Sequence, residues 1–374
     1  MRKICAVLFC FASICCVARG QVDQATKLMQ EGKFHEAELL FRSLAHQHPR
    51  NASLRSNLGI ALAQQGELAA AVTEYRASLA LDPNQPNVQL LMGLAEFKQG
   101  RFKEAIPAFK IAEAALPENG RSSVLLGMSY FGLHQYADAI PYLQRASSSD
   151  PGNIELHNVL AQSCLWSRQF DCAMAEFRNI LTANPDATQA HMLLAQALDA
   201  TGRTDEAIRE LETAATSSPT EPLLHFELGF LLYKKGDYDR ALPELQLEIK
   251  NNPGYAQAYF YLGDIALKQN DEATAEPLLK KAIELQGDLR GAYIDLGTIY
   301  VQQNKTADAL AAFKRAVKLD PTEPDAHYRL GRLYTALGQK ENAQIEFDKT
   351  KDLHNKVEDS LIEKVSGDPS GSPK

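Results

Sequence analysis

Proline recurs every 34 residues through most of this chain. Pro49, Pro83, Pro117, Pro151, Pro185, Pro219 and Pro253 are evenly spaced, Gly287 takes the next place, and Pro321 resumes the series. A proline ring clashes with the preceding helical turn and brings no N–H donor, so each rung predicts the end of a helix. Three further ladders keep the same phase. Alanine fills ten successive places: Ala37, Ala71, Ala105, Ala139, Ala173, Ala207, Ala241, Ala275, Ala309 and Ala343. Gly or Ala fills another ten: Ala25, Gly59, Gly93, Gly127, Ala161, Ala195, Gly229, Gly263, Gly297 and Gly331. Four residues after each ladder alanine stands an aromatic or Leu, as at Phe41, Tyr75, Phe109, Leu143 and Phe177.

Between prolines, apolar residues recur at helical spacing with a break in the middle. In the second unit Leu54, Leu58, Ala61 and Leu62 mark one helix, Gly66 interrupts, and Leu68, Ala71, Val72, Tyr75 and Leu79 mark the next. The two small-residue ladders fall on facing sides of these helices. Small side chains let the backbones approach, and the large residue fills the space beyond the crossing. The prediction is an all-α chain of helix–turn–helix units, each contacting only its neighbours.

In these residues the chain resembles the tetratricopeptide repeats, which share the 34-residue period, the small residue on each helix, the following aromatic or Leu and the terminal proline. The resemblance spans about residues 18–355 as ten units. It implies an α-solenoid wound as a right-handed superhelix, with first helices on the concave wall and second helices on the convex one.

The N-terminus reads as an export signal. Arg2 and Lys3 precede a 14-residue uncharged apolar run, Ile4 to Val17, and Ala18-Arg19-Gly20 has the layout of a signal-peptidase site. Such a run is too short to span a bilayer, which takes about 20 residues. The expected organisation is a signal over 1–20, a repeat array over 21–355, and the end of a capping helix with a disordered tail over 356–374. A periplasmic or secreted location is expected, with a bacterial route favoured. A lipid anchor at Cys15 or Cys16 is the rival, and only lipidation would place the protein at a membrane. Two cysteines follow the signal, Cys164 and Cys172. An oxidising compartment invites a disulfide between them, and two separate buried thiols are the other reading.

The net charge is −8, and removing the signal with its three cations and no acid leaves −11. That acidic body argues against nucleic acid, whose recognition needs basic surface. No phosphate loop or nucleophile elbow is present. His35-Glu36-Ala37-Glu38-Leu39 begins like a zinc-peptidase helix, but Leu39 stands where the second His is needed. His157, His191, His225 and His327 share one place in the repeat, with Tyr259 and Tyr293 filling it in two other units. A metal array would need ligands converging near 2 Å from one centre, whereas neighbouring repeats lie about 10 Å apart. These rings are therefore expected to pack. No catalytic residue, cofactor, metal or small-molecule substrate is expected.

What varies against the regular frame is the wall that the resemblance assigns to the concave side. It carries Leu90, Leu94, Phe97, Met128, Phe131, Trp166, Met192, Phe226, Phe230, Tyr233 and Phe260. An apolar surface of that extent marks an interaction site, and the single Trp is a residue type common at binding hot spots. The expected function is a non-catalytic scaffold holding a peptide or protein partner by apolar anchors. Packing between units is the competing account of the same side chains. Two narrower readings are an assembly factor for the cell envelope, serving a pilus, secretion or polysaccharide export, and a regulatory or recruiting subunit of an envelope enzyme. The wall lacks the paired Lys and Asn of chaperone-binding repeats, having Val124 and Met128 there. It also lacks the Asn ladder of O-linked N-acetylglucosamine transferases: Asn57 is followed by Leu91, Leu125, Val159 and, further on, Glu227.

Overall fold

A computed structural model describes residues 20–115 and 120–366, with side chains to residue 356. The export segment, the Cys15 and Cys16 alternative, Pro117 and the tail over 367–374 lie outside the described residues. Among those described, every regular element is an α-helix, and the α-solenoid fold class holds.

The chain divides into two compact units at Gly202. The first contains α1 (residues 20–30), α2 (Phe34–Gln47), α3 (Ala52–Gln64), α4 (Leu68–Leu81), α5 (Pro86–Lys98), α6 (Phe102–Ala115), α7 (Gly120–Gly132), α8 (Tyr136–Ser149), α9 (Ile154–Trp166), α10 (Phe170–Ala183) and α11 (Thr188–Ala200). The second contains α12 (Thr204–Ser217), α13 (Leu224–Lys234), α14 (Tyr238–Asn251), α15 (Ala256–Lys268), α16 (Glu272–Leu285), α17 (Arg290–Gln302), α18 (Thr306–Leu319), α19 (Pro324–Ala336) and α20 (Lys340–Ser366). Within each unit a helix packs chiefly on the ones before and after it in sequence. The last helix runs unbroken for 27 residues, so the second helix of the tenth repeat and the expected capping helix are one element.

The small rungs are sterically required. A Cβ on Gly59 would lie 2.6 Å from the Tyr75 ring, one on Gly93 2.7 Å from Phe109, and one on Gly297 2.5 Å from Phe313. The facing alanines from Ala37 to Ala309 are fully buried. The turn joining the two helices of a repeat imposes a second backbone demand. Residues 32, 66, 100, 134, 168, 202, 236, 270, 304 and 338, again 34 apart, all adopt positive φ. Glycine serves at six of these places and Asn at two, as left-handed geometry favours, but His134 and Arg168 accept it too.

Proline plays two roles. Pro107, Pro141, Pro243 and Pro277 each stand two residues after a ladder alanine and lie inside second helices without ending them. All four are exposed, so the carbonyl each leaves unbonded can turn to water. Cys164 of α9 and Cys172 of α10 are joined as a disulfide, with sulfurs 1.99 Å and Cα atoms 5.7 Å apart. It staples the hairpin of the fifth repeat.

Candidate binding surfaces on the first helices

In the N-terminal unit α7, the start of α8 and α9 bring aromatic rings together. Phe131 lies 5.7 Å from Trp166, and Tyr136, the first residue of α8, lies 4.8 Å from Trp166 and 5.7 Å from Phe131. Trp166 remains 47% exposed at the edge of this cluster. Leu94, Phe97 and Met128 are partly exposed, with Phe97 set edge-on to Phe102 at 5.1 Å. Leu90 and Met192 are 8% and 6% exposed. Those two are core residues and offer little to a partner, which corrects their placement on an open wall. Leu90 is drawn inward by packing with Phe109 and Leu126.

In the C-terminal unit Tyr261 of α15 is the hub. Its ring centre lies 5.2 Å from Phe230, 4.8 Å from Tyr233, 4.9 Å from Phe260 and 6.0 Å from Phe226. Phe226 also meets Tyr255 at 4.7 Å. Phe260 leans on the start of the next first helix, where a Cβ on Gly291 would come within 2.7 Å of it, so it serves packing as well as surface. The Tyr233 hydroxyl donates to Asp264, which also accepts from Lys268. Burial pushes the Tyr233 phenol up to about 12, so it stays a donor at any physiological pH.

The row two residues before each small rung changes character between Leu193 and Glu227. It reads Asn57, Leu91, Leu125, Val159 and Leu193, then Glu227, Tyr261, Asp295 and Arg329. Burial pushes the Glu227 and Asp295 carboxyls each up to about 7, and for Asp295 the nearby Asp264 adds to the effect. The Asp295 Oδ2 atom is buried without a hydrogen-bond partner. Beyond it, Arg329 donates to Thr298 at 3.1 Å, beside a cleft of about 240 Å³ that Arg332 also lines.

The recurring histidines are clamps. His157 Nδ1 lies 2.6 Å from a Glu176 carboxylate oxygen and Nε2 lies 3.1 Å from the Pro151 carbonyl. His225 repeats this with Glu244 at 2.7 Å and Pro219 at 2.8 Å, and His327 with Glu346 and Pro321. His191 reaches the Pro185 carbonyl at 2.9 Å. The ring thus ties the proline turn before a first helix to the second helix of the same repeat. Arg55 with Glu74 and Tyr293 with the Gly287 carbonyl keep parts of the same arrangement. Among the described residues no His, Cys, Asp and Glu side chains are grouped to hold a metal. A double-mutant cycle on His225→Ala and Glu244→Ala should show a coupling of about 1 kcal/mol in urea unfolding. A coupling of zero would mean the clamp is geometry without energy.

Comparison with known proteins agrees with this architecture. Tetratricopeptide-repeat family profiles match residues 22–86, 90–154 and 226–289, and others of the same description match 130–197, 165–228 and 325–354. The chain belongs to the tetratricopeptide-repeat family. A further TPR-repeat profile matches residues 297–338. Among solved structures, the C-terminal part of a TPR repeat-containing protein from Cytophaga hutchinsonii is 19% identical, with a TM-score of 0.54 over 64% of this chain and 98% of that one. The Naa15/Naa10 structure bound to HypK-THB is 14% identical, with a TM-score of 0.52 over 90% of this chain and 63% of that one. MamA from Desulfovibrio magneticus RS-1 is 26% identical over 46% of this chain and 97% of its own, with a TM-score of 0.42. No curated protein sequence matches significantly. The first two of these likenesses support the fold, and they identify no ligand. No described helix is long and apolar enough to cross a membrane.

Proposed function

We propose that this tetratricopeptide-repeat chain is a non-catalytic scaffold that holds a protein partner through a peptide segment laid on its first helices. The observation carrying this reading is the pair of partly exposed aromatic clusters, Phe131–Tyr136–Trp166 and Phe226–Phe230–Tyr233–Tyr261, on otherwise tightly packed repeats. Rigid aromatic side chains that remain accessible bury large area at small entropic cost when a partner arrives. An extended or helical segment with apolar anchors fits such a surface. The purified chain is expected to show no turnover of its own.

Export belongs to the same proposal and rests on the charged start, apolar run and small-residue site over residues 1–20. Its check is the N-terminal residue of the chain recovered from its native host. A cell-envelope assembly role, or recruitment to an envelope enzyme, would follow from that location.

The test of these surfaces as a peptide groove is crosslinked partner capture in the native compartment. Trp166→Asp and Phe230→Asp should each reduce recovery of a partner about tenfold or more, as expected for a lost aromatic hot spot. If both variants fold normally and keep every partner, the side chains serve packing alone and the reading fails.

A further inference from the structure

The repeat frame breaks at one place. Eleven described residues have positive φ; ten form the turn ladder, and the eleventh is Leu223, at φ 66°. Branched apolar side chains rarely adopt this region. The chain itself supplies a control. Thr220-Glu221-Pro222-Leu223-Leu224-His225 parallels Thr322-Glu323-Pro324-Asp325-Ala326-His327 in the tenth repeat. There, Pro324 opens a 13-residue helix, whereas α13 has 11 residues and begins two places after the matching Pro222.

A contact from the neighbouring helix accompanies this irregular start. Glu248 of α14 is 1% exposed and stands where other repeats have Ala112, Ala146, Ala282 or Ala316. One of its carboxylate oxygens accepts the Phe226 N–H at 3.3 Å. In a helix starting at Pro222, that N–H would instead serve the Pro222 carbonyl. The other oxygen, Oε1, is buried without a partner.

Around this break buried and half-buried carboxylates lie among partly exposed aromatic residues. Glu227 is partly buried, and its raised carboxyl has burial as its cause, with no cation set against it. Glu248 and Glu227 both bear on the Tyr255 phenol, adding to the rise that burial causes there. Phe226 precedes Glu227 in the chain and gives its N–H to Glu248, and its ring lies 4.7 Å from Tyr255 and 6.0 Å from Tyr261. A half-buried carboxylate without a cation set against it, near partly exposed aromatic rings, attracts a cation by charge and by ring quadrupole together.

We infer that the seventh repeat is a docking point for a Lys or Arg side chain of the partner segment, its cationic head held by Glu227 against the Phe226 and Tyr261 rings beside the shortened start of α13. This rests on the groove reading and adds the chemistry of one anchor. Leu223 at positive φ and the buried Glu248 bonded to the Phe226 N–H mark the place where the first turn of α13 is missing.

The probe is a random octapeptide library with blocked ends, passed over the immobilised full chain, with retained peptides sequenced by mass spectrometry. The wild type should enrich Lys and Arg at one position next to apolar ones. Glu227→Gln should lower that basic enrichment about tenfold while keeping the apolar preference, consistent with loss of one close charge pair. Tyr261→Leu should lower it as well, and Asp239→Asn, an exposed acid on α14, should leave it unchanged. Melting curves of each variant establish that it is folded. Retained peptides without a basic preference, or an undiminished preference in Glu227→Gln, would overturn this inference and leave the groove standing. A wild type that retains no peptide would overturn both.

Discussion

Phe177→Ala is expected to destabilise the N-terminal unit by about 3–5 kcal/mol, the range for emptying a fully buried aromatic site. Phe177 is wholly buried. It stands four residues after the ladder alanine Ala173, in the place whose large side chain fills the space beyond the helix crossing. The disulfide joining α9 and α10 ties the two helices of this hairpin at their turn. The single Trp of the chain, Trp166, lies in the same repeat and reports its unfolding in urea by fluorescence. Phe347 holds the matching place in the tenth repeat but is only partly buried; Phe347→Ala should cost less than half as much, read by hydrogen exchange in α20. Equal costs would contradict the account of the stack as a row of locally packed units with a less covered end.

Asp295→Asn is expected to stabilise the C-terminal unit at pH 8 by an amount on the order of 2–4 kcal/mol, from the size of the carboxyl's displacement. The folded-state carboxyl sits at about 7, raised by burial first and by Asp264 second, with Asp325 adding and Lys268 and Arg329 opposing. A carboxyl raised on folding favours the folded state below its ordinary range, and that advantage is lost as pH climbs through about 7. At pH 8 the wild type therefore holds a poorly solvated charge that Asn lacks. At pH 4 the two proteins should differ little. Thermal melts at both pH values, with hydrogen exchange over α17, decide the matter. A variant less stable than wild type at pH 8 would show that Lys268 and Arg329 hold the charge after all. Retaining a costly carboxylate on an inner face agrees with a surface kept for a partner, since binding sites commonly trade stability for function.

Much of the site was legible once its period was known. The partner of each clamp histidine could have been found by comparing units: Arg55, His157, His225 and His327 are each followed 19 residues later by Glu74, Glu176, Glu244 and Glu346. Where Gln89, Ser123, Tyr259 or Tyr293 stands instead, the later place holds Ala108, Tyr142, Leu278 or Ala312. Tyr136 and Tyr261 were harder to see. Tyr136 belongs to a second helix, and Tyr261 occupies a row that is aliphatic from Leu91 to Leu193, so neither carried the signature expected of a binding wall.

The 34-residue period, the helix pairs and the buried rungs follow from sequence alone, because each is a nearest-neighbour requirement repeated in every unit. A Gly beneath Tyr75 or Phe109 and an Ala opposite it are local steric necessities, and ten copies of one necessity leave little room for another fold. Only the tertiary structure decided which inner side chains face outward. Leu90 and Met192 are covered while Trp166 is not, because exposure depends on how much of a side chain the next repeat reaches. It also decided the irregular start of α13. Pro222 announces a helix where Pro324 delivers one, and at the irregular start a buried carboxylate 26 residues after Pro222 takes the N–H of Phe226. That competition between a local hydrogen bond and a tertiary one cannot be read from the segment that loses it.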